Sequence, residues 1–215
     1  MKRCYLVRHA QTPWNVDNRV QGHSDLPLSP AGEVQAKRLS AFFASRHLHG
    51  IFTSGLQRSR QTAHAIAAGN GHGVQPVIIQ DFAEIHLGAW EGLTPADIDA
   101  QFPGAYHQWT SHPSLVQIPG AEPLEAFRRR VRQAMIQVAA SFQDGEYVVV
   151  SHGGVIASLL ADVLDADYDA TLRRLRLDNG GVTALEFGVL PPSVLWINAT
   201  AHLVEPVSVP PRSSA

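Results

Sequence analysis

The chain has 215 residues, of which 45% are hydrophobic and 17% charged, and its formal net charge at pH 7 is −2. This composition predicts one globular domain with a sizeable core, and the small net charge argues against nucleic-acid or anionic-membrane binding. No stretch approaches the ~18 apolar residues of a membrane span, and the apolar run near the start is too short for a secretory signal, which favours a cytoplasmic location.

Strands and helices alternate along the first part of the chain. Ser29 is expected to cap the first helix, Ser54 is a candidate cap for the second, and Gly69 is expected to end the second. A long polar loop follows the first strand, and loops of that length often carry function. The predicted elements are a strand over 4–7, a helix over 28–46, a strand over 50–54, a helix over 56–69 and a strand over 77–80.

The second part of the chain continues the alternation and closes with two strands. Phe127, Val131, Met135 and Val138 are spaced by four, four and three residues, which places them on one side of a long helix. The apolar segment EYVVVSHGG is typical of a strand covered on both faces. The predicted elements are a short helix beginning at 94–95 and ended by 103–104, a helix over 123–142, a strand within 146–154, a helix over 155–164, and strands over 181–187 and 193–200.

This alternation predicts a layered α/β fold with a mostly parallel sheet. We expect residues 1–204 to form the domain and residues 205–215, rich in proline and serine, to form a flexible tail. In parallel sheets the ligand site lies beyond the carboxyl ends of the strands. The side chains that follow such ends here are Arg8, His9, Arg58 and His152.

Two arginines and two histidines at one sheet edge predict a phosphate site. The guanidinium groups present planar donors to phosphate oxygens, and a neutral imidazole between them can attack phosphorus. A second, protonated imidazole can stabilise the transition state, and such a pocket replaces the metal ion that many phosphoryl-transfer enzymes use. A carboxyl must still protonate the leaving oxygen. Glu84, in the loop after the third strand, is the best-placed candidate, and Glu91 is the next.

Five segments of the chain carry a family pattern: LVRHAQTPWN, TSGLQRSRQTA, AEIHLGAWEGLT, PGAEPLEAFRRRV and VVVSHGGVI, in that order. Together they resemble the histidine phosphatase superfamily, also called the phosphoglycerate mutase-like family, over residues 4–204. The resemblance implies a three-layer sandwich with a mostly parallel central sheet, a phosphorylated His9 and a proton donor at Glu84. The phosphate-pocket partners that it implies are Arg8, Arg58 and His152, and the substrate-pocket residues are Asn15, Gln21, Gly22 and Gly153.

Two positions depart from the family pattern. Ala10 replaces the glycine of the usual Arg-His-Gly, a change that adds only a methyl group. Ala121-Glu122-Pro123 replaces the usual Gly-Glu-Ser, which keeps the carboxylate and removes the serine hydroxyl.

Other conspicuous residues are interpreted as surface or packing residues. The arginines on the long helix predict a solvated face, and the remaining histidines show no recognised metal-ligand spacing, so no metal is expected. His86 and Trp90 flank Glu84 and either rim the pocket or pack beside it, and His202 is expected to be structural. The arginine run consists of Arg128, Arg129, Arg130 and Arg132.

Three functions fit this pattern: a phosphomonoesterase, a cofactor-dependent phosphoglycerate mutase, and a non-catalytic module that binds a phosphorylated ligand. The family's true mutases carry a long basic insertion after the glutamate, whereas residues 86–109 contain no lysine or arginine. The resemblance therefore implies a metal-independent phosphoric monoester hydrolase of the broad-specificity phosphatase branch, acting without a cofactor on small phosphorylated metabolites. It leaves open the physiological substrate, residual mutase activity and a homodimeric state.

Overall fold

The computed structural model describes residues 2–188 and 192–204, and its strands form one six-stranded sheet. The strands are β1 Lys2–Arg8, β2 Leu48–Thr53, β3 Pro76–Ile78, β4 Gly145–Ser151, β5 Val182–Phe187 and β6 Ser193–Ala199. Their order across the sheet is β3-β2-β4-β1-β5-β6. The tail expected over 205–215 lies outside the described residues.

The sheet is mostly parallel, as the sequence predicts. β3, β2, β4 and β1 run in one direction, β5 pairs antiparallel with β1, and β6 pairs antiparallel with β5. The register pairs Arg8 with Ser151 and Thr53 with Val150. The segments that follow β1, β2 and β4 therefore begin side by side at one edge of the sheet.

Alternate strand residues build a core on each face of the sheet. In β4, Tyr147 and Val149 belong to one cluster while Val148 and Val150 belong to the other. The first cluster includes the apolar side of the long helix, and its Phe127, Val131, Met135 and Val138 are all buried, as their spacing predicts. Helices thus cover both faces, which confirms the three-layer sandwich.

Eight α-helices occur among the described residues, and none of them is long and apolar enough to cross a membrane. The sequence predicts five of these helices but not α1, α5 and α8, which have only four to seven residues and so leave little periodic signal. The helices are α1 Pro13–Val16, α2 Pro30–Phe43, α3 Gln57–Asn70, α4 Pro95–Gln101, α5 Ala105–Ser111, α6 Leu124–Ala140, α7 Gly153–Val163 and α8 Tyr168–Arg174.

The predicted cap of α2 is correct, and the predicted bounds of α3 agree to within one residue, but Ser54 does not cap α3 and Gly69 does not end it. Ser29 accepts a hydrogen bond from the backbone of Gly32, whereas α3 begins after Leu56 with no side-chain cap. Gly69 lies inside α3, where a Cβ atom would come within 1.9 Å of the Ser40 hydroxyl on α2, so this glycine permits close helix packing. The helix ends instead at Gly71, whose φ of +72° is the left-handed conformation that glycine adopts readily.

Asn70, the last residue of α3, donates hydrogen bonds to backbone carbonyls at and just beyond the end of α2, and these bonds should stabilise the fold. Its buried amide nitrogen donates to the carbonyls of Phe43 and Arg46, both at 2.8 Å. Asn70→Ala leaves these acceptors unpaired, so we expect the free energy of unfolding to fall by about 1–3 kcal/mol in urea denaturation. Gln137→Ala, at an exposed position on α6, is the control and should change it by less than about 0.5 kcal/mol. Equal effects of the two substitutions would contradict this role of Asn70.

Candidate active site

The carboxyl edge of the sheet brings four predicted side chains together. Arg8 ends β1 and His9 follows it, Arg58 lies in the first turn of α3, and His152 directly precedes α7. The rings of His9 and His152 lie 5.1 Å apart between centroids. Arg58, His9 and His152 are buried, with exposed fractions of 1%, 3% and 0%.

The ring of His9 is held as one tautomer. Its Nδ1 lies 2.8 Å from the carbonyl oxygen of Ala10, and because a carbonyl can only accept, Nδ1 carries the proton. Nε2 then has a free lone pair when the ring is neutral. Burial, followed by the charges of Arg58 and Arg8, lowers the pKa of His9 well below its ordinary value, so the ring is neutral at pH 7.

The backbone around His9 is fixed from three sides. The His9 N–H donates to the carbonyl of Ser151 at 2.8 Å, and the Asn179 side chain donates to the carbonyl of His9 at 3.0 Å. The Ala10 N–H donates to the hydroxyl of Thr62 at 3.0 Å. Nothing in the sequence marks Asn179 or Thr62 as part of the site, because neither lies beside the Arg-His pair along the chain.

Each arginine donates to backbone carbonyls and keeps one buried nitrogen unpaired. Arg58 donates to the oxygens of Gly22 and Ser24, both at 2.8 Å, and Arg8 donates to the oxygen of Leu177. The Nε atoms of both arginines are buried without a hydrogen-bond partner in the described part of the chain. Burial lowers the pKa of Arg58 to about 10 and also lowers that of Arg8, yet both stay charged at pH 7. This arrangement suits an anion with several acceptor oxygens.

His152 is neutral in this structure, which corrects the expectation of a protonated second imidazole. Burial, followed by the charges of Arg58, His9 and Arg8, lowers the pKa of His152 well below its ordinary value. Its Nε2 lies 2.8 Å from the Ser54 hydroxyl, which also lies 3.4 Å from the N–H of Leu56. If the hydroxyl proton goes to Nε2, the ring carries its own proton on Nδ1, which is buried and unpaired among the described residues. Nδ1–H can then serve an anion as a donor.

Glu84 lies against the first turn of α7. One of its carboxylate oxygens accepts from the N–H of Ile85 and the other from the N–H of Gly154, both at 3.0 Å. A Cβ atom on Gly154 would come within 2.4 Å of the Glu84 carboxylate, so only glycine permits this approach. The contact links Glu84 to the helix that His152 precedes, which places the carboxyl beside the histidine and arginine cluster.

Glu91, the second candidate carboxyl, is occupied by hydrogen bonds from the protein itself. Its oxygens accept from the N–H groups of His23 at 2.8 Å and Leu87 at 3.0 Å, and from the Ser24 hydroxyl at 2.9 Å. Burial opposes ionisation, but these three hydrogen bonds outweigh it and lower the pKa of Glu91. A carboxyl held in its ionised form is poorly suited to donate a proton, so Glu91 is the weaker candidate.

Asn15 and Gln21 meet at Thr12. The Asn15 side-chain oxygen accepts from the Thr12 N–H at 3.0 Å and from the Asn179 side chain at 3.2 Å. The Gln21 side-chain oxygen lies 3.0 Å from the Thr12 hydroxyl. Asn179 also holds the carbonyl of His9, so Asn15 is linked to the cluster through one intervening side chain.

Gly22 and Gly153 adjoin the two arginines. The carbonyl of Gly22 accepts from Arg58, its φ is +48°, and a Cβ atom there would come within 2.1 Å of a Glu91 oxygen. Gly153 begins α7, and the position of its missing Cβ lies 3.8 Å from Nε of Arg8. Gly22 therefore leaves room for the Glu91 carboxylate, whereas a Cβ atom at position 153 would make only ordinary van der Waals contact with Arg8.

The structure assigns packing contacts to three further residues. Trp90 is 1% exposed and its ring lies 5.8 Å from that of Trp109 between centroids, so it packs beneath the loop. His86 is partly exposed, with Nδ1 3.0 Å from the carbonyl of Gly120. His202 contacts the carbonyl of Gly180 at 3.0 Å, in keeping with a structural role. Within residues 2–188 and 192–204, no group of three or more His, Cys, Asp or Glu side chains is arranged to hold a metal ion.

The prediction of a solvated arginine run is wrong for Arg130. Its side chain turns toward the loop that carries Glu84 and donates to the Glu84 carbonyl at 3.0 Å. Arg128 and Arg132 both pair with Asp162, at 2.9 and 2.7 Å. The α-helical spacing gives no sign of this difference, because the partners of Arg130 are mainly backbone carbonyls of a distant segment.

The chain also matches a known protein family. The model of the histidine phosphatase superfamily, branch 1, matches residues 4–200. The chain belongs to this family. Membership confirms the resemblance that the five motifs indicate.

Relatives of this histidine phosphatase carry both phosphatase and mutase-like names. It is 30% identical over 206 residues to phosphoserine phosphatase 1 of Hydrogenobacter thermophilus, covering 95% of this chain and 96% of that protein. It is 35% identical over 156 residues to phosphoglycerate mutase-like protein 4 of Arabidopsis thaliana, covering 72% and 67%. The solved structure of a mycobacterial glucosyl-3-phosphoglycerate phosphatase with VO3 matches with a TM-score of 0.84 and 29% identity, covering 93% of this chain and 100% of that one.

The lowered pKa values of His9 and His152 predict acid sensitivity of the fold. Below a pH of about 6.5 the unfolded chain protonates these rings while the folded protein does not, so the free energy of unfolding falls as the pH drops. Each ring contributes up to about 1.4 kcal/mol per pH unit. Denaturation in phosphate-free buffer at pH 7.5, 6.5, 5.8 and 5.2 measures this slope.

His9→Asn and His152→Asn should each flatten the slope below pH 6.5, because each removes one suppressed proton-binding site. His64→Asn is the control, since His64 is an exposed residue of α3, and it should keep the wild-type slope. Parallel curves for all three variants would show that neither buried ring is held neutral.

Proposed function

We propose that this protein is a metal-independent phosphoric monoester hydrolase that acts through a phosphohistidine at His9. The observation that carries the proposal is a buried, neutral imidazole whose free Nε2 lies in a cluster with the buried Arg58 and the partly buried Arg8, whose Nε atoms are both buried. A phosphatase name on a relative that aligns with 95% of this chain supports the same activity. We assign the catalytic domain to residues 1–204.

In the first step the His9 Nε2 lone pair attacks phosphorus and the bond from phosphorus to the alcohol oxygen breaks. The protonated Glu84 carboxyl gives its proton to the departing oxygen, so the alcohol leaves neutral. The Ala10 carbonyl keeps the proton on Nδ1 and faces the positive charge that develops on the ring. The products of this step are the alcohol, N-phosphorylated His9 and an ionised Glu84.

In the second step water hydrolyses the phosphohistidine. The Glu84 carboxylate takes a proton from the water as its oxygen attacks phosphorus, and the bond from phosphorus to Nε2 breaks. Inorganic phosphate leaves, His9 regains its lone pair, and Glu84 is protonated again. The same carboxyl thus serves as acid and then as base.

The charge of the phosphoryl group is stabilised by donors that are already in place. Arg8 and Arg58 offer buried N–H groups that lack partners among the described residues, and His152 offers Nδ1–H. Because these donors are desolvated and held by other contacts, little reorganisation is needed as charge builds on the phosphoryl oxygens. Fixed cations supply the charge that a metal ion supplies in many phosphoryl-transfer enzymes.

Hydrolysis is favoured over phosphoglycerate mutation by the segment beyond Glu84. Residues 86–109, which include α4 and the first five residues of α5, contain no lysine or arginine, while Glu91 in this segment is ionised. A mutase must hold the glycerate carboxylate near the phosphohistidine until the phosphoryl group returns. The segment offers no permanent cation for that purpose, so phosphomonoesterase activity is the first candidate and mutase activity the second.

The substrate that we propose is a small phosphorylated metabolite. We further propose that the protein binds neither nucleic acid nor a membrane and that it is located in the cytoplasm. The proposed substrate and the absence of a nucleic-acid or membrane partner rest on the small formal charge of −2 and on the cluster of arginine and histidine side chains buried at the sheet edge. A buried phosphate site can accept the terminal phosphate of a monoester. It cannot readily accept a phosphodiester of a nucleic-acid backbone, because the chain continues on both sides of that phosphate.

Trapping of the intermediate tests the proposed function. Purified protein in excess chelator is given a panel of phosphate monoesters, with free phosphate and interconversion of 3- and 2-phosphoglycerate scored side by side. We expect phosphate release in chelator and, in quenched labelling, an acid-labile, base-stable phosphoryl group that His9→Ala abolishes. Phosphate on serine, or activity that needs added magnesium, would count against the mechanism, and rapid phosphoglycerate interconversion without phosphate release would establish the mutase.

Glu84→Gln separates proton donation from binding. It keeps the size of the side chain but removes the acid, so kcat/KM for alkyl phosphates should fall by roughly 10²–10⁴-fold. The loss for p-nitrophenyl phosphate should be much smaller, since p-nitrophenolate leaves without protonation. The parameter kcat/KM reports phosphoryl transfer to His9 and excludes the later hydrolysis. Equal losses for both leaving groups would show that Glu84 is not the acid, and Glu91→Gln would be examined next.

A further inference from the structure

The guanidinium group of Arg130 on α6 has a hydrogen-bond acceptor for every one of its five N–H groups. Nε donates to Oε1 of Glu122 at 2.7 Å, and one terminal nitrogen donates to Oε2 of the same carboxylate at 2.7 Å. The remaining donors reach three backbone carbonyls of one short segment: those of Asp81 at 2.7 Å, Ala83 at 2.8 Å and Glu84 at 3.0 Å.

The segment that Arg130 holds is the one that carries the proposed general acid. It follows β3, which has only three residues, and runs through a short 3-10 turn over Gln80–Phe82 before it reaches Glu84. No strand pairing extends along it beyond Ile79, whose N–H donates to Thr53. Carbonyls without a strand partner need another donor. Arg130 supplies donors to three of them, and it shares the carbonyl of Glu84 with Nε2 of His23, which lies 2.7 Å from that oxygen.

The other end of the contact is anchored on Glu122, just before α6. Burial opposes ionisation, but the hydrogen bond and charge of Arg130 lower the pKa of Glu122, so the pair is ionic. The Glu122 N–H also donates to the carbonyl of His86 at 2.9 Å. Arg130 and Glu122 therefore hold the chain on both sides of Glu84 and tie it to a long helix of the core.

We propose that Arg130 is a positioning residue that fixes the Glu84 carboxyl at the distance from the leaving oxygen that proton transfer needs. The inference rests on the proposed function of the site. Arg130 contacts the main chain of Glu84 and not its carboxylate, so it acts on geometry. A displacement of about 1 Å in a reacting group can cost about 10²-fold in rate.

The test compares Arg130→Gln with Arg132→Gln. Both remove an arginine of α6 that forms a short ion pair, but Arg132 pairs with Asp162 and makes no contact with the Glu84 segment in the described structure. For each variant, kcat/KM is measured on p-nitrophenyl phosphate and on the alkyl phosphate that the wild type hydrolyses fastest. Arg130→Gln should lose about 10²-fold on the alkyl phosphate and much less on the aryl phosphate, while Arg132→Gln should change neither by more than about twofold.

A double-mutant cycle with Glu84→Gln distinguishes positioning from a general loss of structure. If Arg130 acts through the acid, adding Arg130→Gln to Glu84→Gln should cost less than about threefold more on the alkyl phosphate, because the proton donor is already absent. Arg130→Lys keeps the charge and some of the donors, so it should recover part of the alkyl activity. It also carries the test if Arg130→Gln does not fold, which thermal denaturation reveals.

Three results would overturn the proposal: equal losses on both substrates, full additivity with Glu84→Gln, or wild-type activity of Arg130→Gln on the alkyl phosphate. A failure of the proposed function is seen separately. In that case the wild type hydrolyses no phosphate monoester, or Glu84→Gln itself shows no dependence on the leaving group.

Discussion

The burial of two guanidinium charges beside two imidazoles is the constraint on which the rest of this site depends. Burial lowers the pKa values of His9 and His152, and the charges of Arg58 and Arg8 lower them further, so both rings stay neutral. A neutral His9 whose Nδ1 proton is held by Ala10 has one place left to react, which is Nε2. The cations that attract a phosphate thus add to the effect of burial in keeping the nucleophile in its reactive form.

Such a cluster is costly to assemble, because like charges and polar groups are removed from water together. Loop carbonyls near the edge of the sheet offset part of that cost. Arg58 donates to two loop carbonyls and Arg8 to a third, so part of each charge is satisfied before any anion binds. The register of β1 against β4 places His9 and His152 at one edge, where the His9 N–H continues the strand pairing to Ser151.

The site residues that can be predicted from the sequence are those whose positions follow from strands and helices. Arg8, His9 and His152 follow strand ends, and the rule that parallel strands share a carboxyl edge was enough to predict their meeting. For Ser54 and Arg130 the sequence predicts other roles, a helix cap and a solvent-exposed arginine. Ser54 contacts the ring of His152, which is 98 residues away along the chain, and Arg130 contacts carbonyls that are 46 to 49 residues away. Contacts over such separations leave no periodic pattern in the sequence. The sequence ranks Glu84 above Glu91 by position, and the hydrogen bonds that hold Glu91 in its ionised form add a physical reason that the sequence does not show.

The two halves of the proposed chemistry are therefore held by different kinds of contact. Arg8, His9 and His152 lie at or directly after the ends of the central strands β1 and β4, and Arg58 lies in the first turn of α3. The acid follows β3, an edge strand of three residues, and lies in a loop without strand pairing. A loop position requires side-chain hydrogen bonds if it is to be held as firmly as a strand end. A guanidinium with five donors is the side chain best able to supply them, which gives a physical reason for an arginine at position 130 where the helical pattern alone would accept any polar residue.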